Sequence, residues 1–198
     1  MEKPIARTAR RVQDVSLVRM GQVAGVAVLG ISALFGGLDE APQPALPQLD
    51  PGERHEGAQL AVTVERALLF DDLRPLPDPP PGHRLLAVTT EIENLDTVPA
   101  GAISDALVLH DSSGFAPVDA KPSTALISDP GLAVELQPGV PERVVFVWAV
   151  PAEGEPPEVD VLVRDKTLVT DPVMFAGPTW LDPHPAVRVV VPLVEGAT

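Results

Sequence analysis

The chain has 198 residues, 45% of them hydrophobic, with 24 prolines, no cysteine and a formal net charge of −14. That charge argues against a partner held by neutralising a phosphate backbone, and so against nucleic acid; the missing cysteine excludes disulfides, thiolate metal sites, a lipidated cysteine and a cysteine nucleophile. One domain with appendages fits the length, and prolines at about twice the usual share point to short strands joined by rigid turns.

Residues 1–19 hold Lys3, Arg7, Arg10, Arg11 and Arg19 against Glu2 and Asp14, a net +3, whereas the remainder carries 9 bases against 26 acids. Met20–Leu38, MGQVAGVAVLGISALFGGL, follows with no charge and only Gln22 and Ser32 polar. As a helix it would rise about 28 Å, close to the ~30 Å hydrocarbon thickness of a bilayer. A buried core helix would keep a polar stripe. A cleavable signal peptide would have a shorter apolar region ending in small residues, which Ile31-Ser32-Ala33 matches poorly. The reading is a retained transmembrane signal-anchor helix over 20–38, with the basic tail cytoplasmic and the acidic remainder exported.

Residues 39–57, DEAPQPALPQLDPGERHEG, are broken by Pro42, Pro44, Pro47 and Pro51 and read as an extended proline-rich stalk. The exported domain is expected over 58–198. In it Leu60, Val62 and Val64 alternate with Ala61, Thr63 and Glu65, the pattern of a half-buried strand. DDLRPLPDPPPGH, 71–83, is a loop by its prolines. Asp71, Asp72 and Asp78 crowd it and are the candidate calcium ligands, although no D-x-D-x-D-G spacing is present. Residues 84–94, RLLAVTTEIEN, resume alternation, with Leu86, Val88, Thr90 and Ile92 on one face and Glu91 and Glu93 together on the other. Paired carboxylates suit acid/base or cation chemistry, but on an outer strand face they are ordinarily solvated charge.

Leu107 and Leu109 lead a strand into an Asp-Ser-Ser-Gly turn. His110, Asp111 and Ser112 are the residue types of a hydrolytic triad, yet neighbours on a strand point to opposite faces and are not expected to bond in series. The run Val144–Val150 has no polar side chain. Val144, Phe146, Trp148 and Val150 make its core face, and Val145, Val147 and Ala149 then need a cover of their own: the loop 71–83, the segment 171–185 with Trp180, or a partner. Val145, Val147 and Trp180 are therefore the candidate partner surface. Val159–Lys166 and Ala186–Leu193 complete an antiparallel all-β sandwich or barrel. His55, His83, His110 and His184 are scattered, and no nucleophile elbow, P-loop or dinucleotide motif occurs, so neither catalysis nor a cofactor is expected.

The order GHRLLAVTTEIENLDTVPA, ALVLHDSSG, LQPGVPERVVFVWAVP and VDVLVRD resembles the telokin-like, immunoglobulin-type domains of unknown function on bacterial lipoproteins and membrane-anchored surface proteins. Asn94, Asp111, Gly114, Pro138, Gly139, Phe146 and Pro151 stand at that family's recurring places. The resemblance covers roughly residues 58–166 and implies an immunoglobulin-like β-sandwich with no known catalytic residues. This chain departs from it in lacking the often-lipidated cysteine and in the segment VTDPVMFAGPTWLDPHPAVRVVVPL. Three lysines against eleven arginines agree with a high-GC, bacterial source. The expectation is a membrane-anchored, extracytoplasmic interaction or scaffolding module with another envelope or membrane protein as its partner; the alternative is a calcium- or small-ligand-binding sandwich domain of the cell envelope.

Overall fold

Alternating apolar side chains favour strands buried on one face, and strands account for almost all the regular structure among the described residues. The computed structural model describes residues 45–195 apart from 75, 77, 116, 118, 120, 132, 155, 173, 175 and 176. The expected basic tail, the span 20–38 and the stalk as far as residue 44 lie outside the described residues. Among the described residues no helix is long and apolar enough to cross a membrane. The strands are β1 (Gln48–Leu49), β2 (Arg54–Glu56), β3 (Leu60–Phe70), β4 (His83–Asn94), β5 (Leu107–Leu109), β6 (Ser123–Leu126), β7 (Pro141–Pro151), β8 (Glu158–Val169) and β9 (Thr179–Glu195). A short 3-10 turn, Asp111–Ser113, follows β5.

One sheet runs β2-β3-β4-β7-β6, antiparallel throughout. The other runs β5-β8-β9, also antiparallel, with β1 parallel to β9. The end of β9 leaves β8 and pairs in parallel with β3, Ala67 opposite Leu193, which joins the two sheets along one edge. Of the seven main strands, the first, second, fifth and fourth thus make one layer and the third, sixth and seventh the other.

The core lies between the layers. Phe146 and Trp148 of β7 are at most 2% exposed, with ring centroids 6.3 Å apart and planes 22° from parallel. Val161 and Val163 of β8 and Val187, Val189 and Val191 of β9 belong to the same apolar cluster. The threefold valine run 189–191 resolves by parity: Val189 and Val191 are buried, and Val190 between them is half-buried on the outer side.

Two expectations about boundaries change. Residues 46–57 belong to the sandwich rather than to a stalk: β1 and β2 lie on its edges, and the compact unit begins at Leu46. Proline cannot donate a backbone hydrogen bond, but at a sheet edge it can still accept one, and the Pro47 carbonyl accepts from Arg188 N–H at 2.9 Å. The last strand begins at Thr179, well before Ala186. It passes through Pro183, Pro185 and the left-handed Asp182 (φ 54°), opposite register irregularities in β8 between Val163 and Thr167.

The residues that carry the family resemblance have structural work here. Asn94 is fully buried. Its amide donates to the carbonyls of Val98 and Leu136 at 2.8 and 3.1 Å, and its side-chain oxygen accepts from Asp96 N–H at 3.0 Å. Gly139 donates to the Asn94 carbonyl at 2.8 Å from a turn that needs its φ of 68°, a region open to glycine at little cost.

Candidate binding groove

Register fixes the outer face of the β3-β4-β7-β6 layer row by row. Arg66 lies opposite Thr89, Thr89 opposite Val145, and Val145 opposite Ala125. The next row is Leu68, Ala87, Val147 and Ser123, and the third is Phe70, Leu85 and Ala149. On the far side of the Thr89 row the face is charged. Glu91 stands opposite Arg143, Arg143 pairs with Glu65 at 2.9 Å, and Glu93 pairs with Arg54 at 2.8 Å. One half of this face is thus ionic and the other apolar.

A β-bulge makes the apolar half possible. Simple alternation from Leu60, Val62 and Val64 would carry Arg66, Leu68 and Phe70 into the core. The register shifts between Val64 and Arg66, so that Ala67 and Leu69 take the core positions and Arg66, Leu68 and Phe70 turn outward. An extra residue in one strand re-aims every side chain beyond it.

The loop 71–82 roofs part of this half. Leu73 and Leu76, with Phe70 and Val145, pack on Leu85, Ala87 and Val147, leaving Val147 5% exposed. Asp71 to Arg84 at 2.9 Å, Arg74 to Asp72 at 3.0 Å and Leu76 N–H to the Leu73 carbonyl at 2.9 Å hold the loop in shape. Of the two covers expected within the chain, this loop is the one in place. Trp180 sits elsewhere: its indole N–H donates to Asp96 Oδ2 at 2.6 Å, which holds the Asp96 carboxyl below its ordinary pKa. The proposed grouping of Trp180 with Val145 and Val147 is therefore corrected, since Trp180 is spent on a contact with the loop after β4.

The roof stops short of the first row, where an open cavity of about 210 Å³ remains. Thr89, Ala87 and Val145 floor it, Leu73 and Leu76 wall one side, and Leu126, Ile127 and Pro130 wall the other. Arg66 and Arg74 also line it, and no carboxylate does among the described residues. The hydrogen bond that Arg74 donates to Asp72, more than the carboxylate's charge, raises the pKa of Arg74. The Arg66 side chain has no hydrogen-bond or ion-pair partner among the described residues. A smaller cavity of about 140 Å³ lies beyond Leu76, beside Asp119 and Lys121.

The acidic candidates do not converge. Asp71 is paired with Arg84 and Asp72 with Arg74, while Asp78 is exposed. Among the described residues no three histidines or carboxylates gather in a way that could hold a metal ion.

The His110 segment departs from expectation in a different way. The chain leaves the strand after Leu109, so His110 and Ser112 meet across the 3-10 turn, Nδ1 to Oγ 2.7 Å. The Ser112 hydroxyl donates to Asp160, a buried carboxylate that Arg188 also grips, Nε to Oδ1 at 2.8 Å and a terminal nitrogen to Oδ2 at 2.6 Å. Asp160 is the acid of this cluster among the described side chains. A hydrolytic relay sets the hydroxyl and the carboxylate on opposite ring nitrogens. Here both stand at Nδ1, which makes the cluster a polar clasp between the turn, β8 and β9.

No family model matches the chain, and no curated protein does. Among solved structures it is similar to an uncharacterized β-sandwich protein from Clostridium difficile 630, at 14% identity and a TM-score of 0.43, over 77% of this chain and 99% of that one. A candidate lipoprotein (ycdA) from Bacillus subtilis is similar at 12% identity and a TM-score of 0.42; the match covers 70% of this chain and 38% of that one. A functionally unknown protein from Listeria monocytogenes EGD-e is similar at 9% identity and a TM-score of 0.35, over 57% of this chain and 71% of that one. At such identities and scores nothing about function passes from these proteins to this chain.

Proposed function

We propose that this chain is a membrane-anchored module that displays its sandwich outside the cytoplasm and binds through the groove on the β3-β4-β7-β6 face, without catalysis. The groove carries the reading: an outer sheet face that is largely apolar is roofed along the Val147 and Leu85 rows and left open at the Thr89 row. A soluble domain ordinarily leaves such a patch uncovered where something else covers it. The strand order, first-second-fifth-fourth against third-sixth-seventh, is that of a constant-type immunoglobulin sandwich, which supports the telokin-like resemblance. The basic tail, the uncharged stretch 20–38 and the acidic remainder support the anchored, exported topology.

The test places a photo-crosslinking side chain in the full-length protein in living cells, at Ile127 on the groove wall or at Leu168 on β8, positions 44% and 43% exposed. Adducts, of protein or of small-molecule mass, are expected from Ile127 and not from Leu168. Equal yields from both positions, or none from either, would overturn the groove reading. A reporter active only outside the cytoplasm, fused after Thr198, should be active; activity of a cytoplasm-only reporter instead overturns the topology.

A further inference from the structure

Resting on the groove reading, we propose that the ligand is an amphiphile with a hydrocarbon chain and a carboxylate head, its chain in the 210 Å³ cavity and its head on Arg66. Charge singles out the head. In a chain of net charge −14 the described arginines are otherwise engaged: Arg54, Arg74, Arg84, Arg143 and Arg188 with carboxylates and Arg164 with the Pro183 carbonyl. Among the described residues Arg66 alone of them has no side-chain partner, and it stands at the end of the open row, beside Thr89, on a cavity wall where no described residue is a carboxylate. The nearest acid along the strand, Glu65, is occupied by Arg143. A planar guanidinium with free donors is built to grip a carboxylate with two parallel hydrogen bonds.

The rest of the lining selects the tail. Apart from the two arginines and Thr89, the cavity wall is aliphatic or aromatic, and the strands beneath it spend their backbone groups on one another. A peptide laid here would bury amide groups against side chains that cannot bond them, at a cost of about 1–3 kcal/mol each. A hydrocarbon chain has no such groups and gains by leaving water. The dry lining therefore favours an acyl chain over a protein segment.

The experiment uses the full-length protein in nanodiscs of neutral lipid and a ten-carbon fatty acid carrying a diazirine, with labelled peptides mapped by mass spectrometry. Labelling is expected within Phe70–Leu76 and Leu126–Pro130, displaced by decanoate but not by decylamine. Arg66→Glu should lower it by roughly tenfold or more, as loss of a charge-assisted bond implies, and Arg66→Lys should restore most of it. Arg66 is exposed on the strand, so both variants should melt as the parent does. Displacement by decanol as strong as by decanoate, labelling spread over other segments, or indifference to Arg66→Glu would overturn the proposal. If the groove takes no acyl label while Ile127 crosslinks to a protein in cells, the acyl ligand is wrong and the groove reading stands; if neither happens, both fall.

Discussion

β7 is apolar on both sides, and the two sides are covered by different means. Inward, Val144, Phe146, Trp148 and Val150 face the strands of the opposite layer and are at most 2% exposed. Outward, Val145, Val147 and Ala149 face a proline-rich loop, and Val145 and Ala149 remain half-buried. A sheet covers a sheet row by row, because both present side chains at the same period. A loop covers only as far as its few apolar side chains reach, and here those are Leu73 and Leu76. The inner side is thus suited to stability and the outer one to an exchangeable occupant.

The sharpest way to break this contrast is to truncate each side in turn. Trp148→Ala should cost about 3–5 kcal/mol in a denaturant titration, since a large ring in a closed core leaves a cavity its neighbours cannot fill. A loss under about 1 kcal/mol would mean that the inner side is no better packed than the outer. Val147→Asp buries a carboxylate beneath the loop and should cost less, about 2–3 kcal/mol, because the loop can lift and let water reach the charge. A variant that melts like the parent would show that the roof is open in solution and that the groove extends over the second row.

The inner side was legible in the sequence and most of the outer side was not. Phe146 and Trp148 share a parity with Val144 and Val150, and aromatics are the natural core choice, so the core face of β7 follows from spacing alone. That Val145 and Val147 needed a cover followed from the same spacing. The walls of the groove are another matter. The shift at Glu65 is backbone geometry with no residue type that demands it, and an unbroken period of two sends Arg66, Leu68 and Phe70 to the wrong side. β6 is four residues long, too short for periodicity to show. Asp160 lies 48 residues from Ser112, and no local pattern reports a contact of that range. β1 and β2 hid among prolines because an edge strand tolerates residues that a central one does not.

Leu76→Ala probes the roof itself. Leu76 is half-buried and lies between the two cavities, so its truncation should cost about 1 kcal/mol. Amide exchange should quicken at Leu85, Ala87 and Val147, the β4 and β7 residues beneath the loop, and stay unchanged for the core-facing neighbours of Trp148. Faster exchange on both sides would mean that loop and core open as one unit, and the contrast between them would lose its energetic meaning.

The smallest effect expected belongs to Asp96, whose bond to Trp180 ties that ring to the loop after β4. The indole N–H donates to the ionised carboxylate, and chiefly for that reason the Asp96 pKa is lowered in the folded protein. A carboxyl depressed on folding stabilises the native state above its unfolded value, about 3.9, and loses that contribution as pH falls through the folded value. Asp96→Asn keeps an oxygen able to accept the indole proton but removes the charge. The parent should therefore be the more stable of the two near neutral pH, by no more than about 0.5 kcal/mol, since the group is partly exposed and water screens its charge. In urea titrations at about pH 7, 4 and 2.5 that margin should narrow below about pH 4 and close at the lowest value. A margin constant across the series would show that shape rather than charge holds Trp180 in place. Acyl labelling of the groove should be the same in parent and variant. A change there would connect Trp180 to the outer face after all and undo the separation of the two sides.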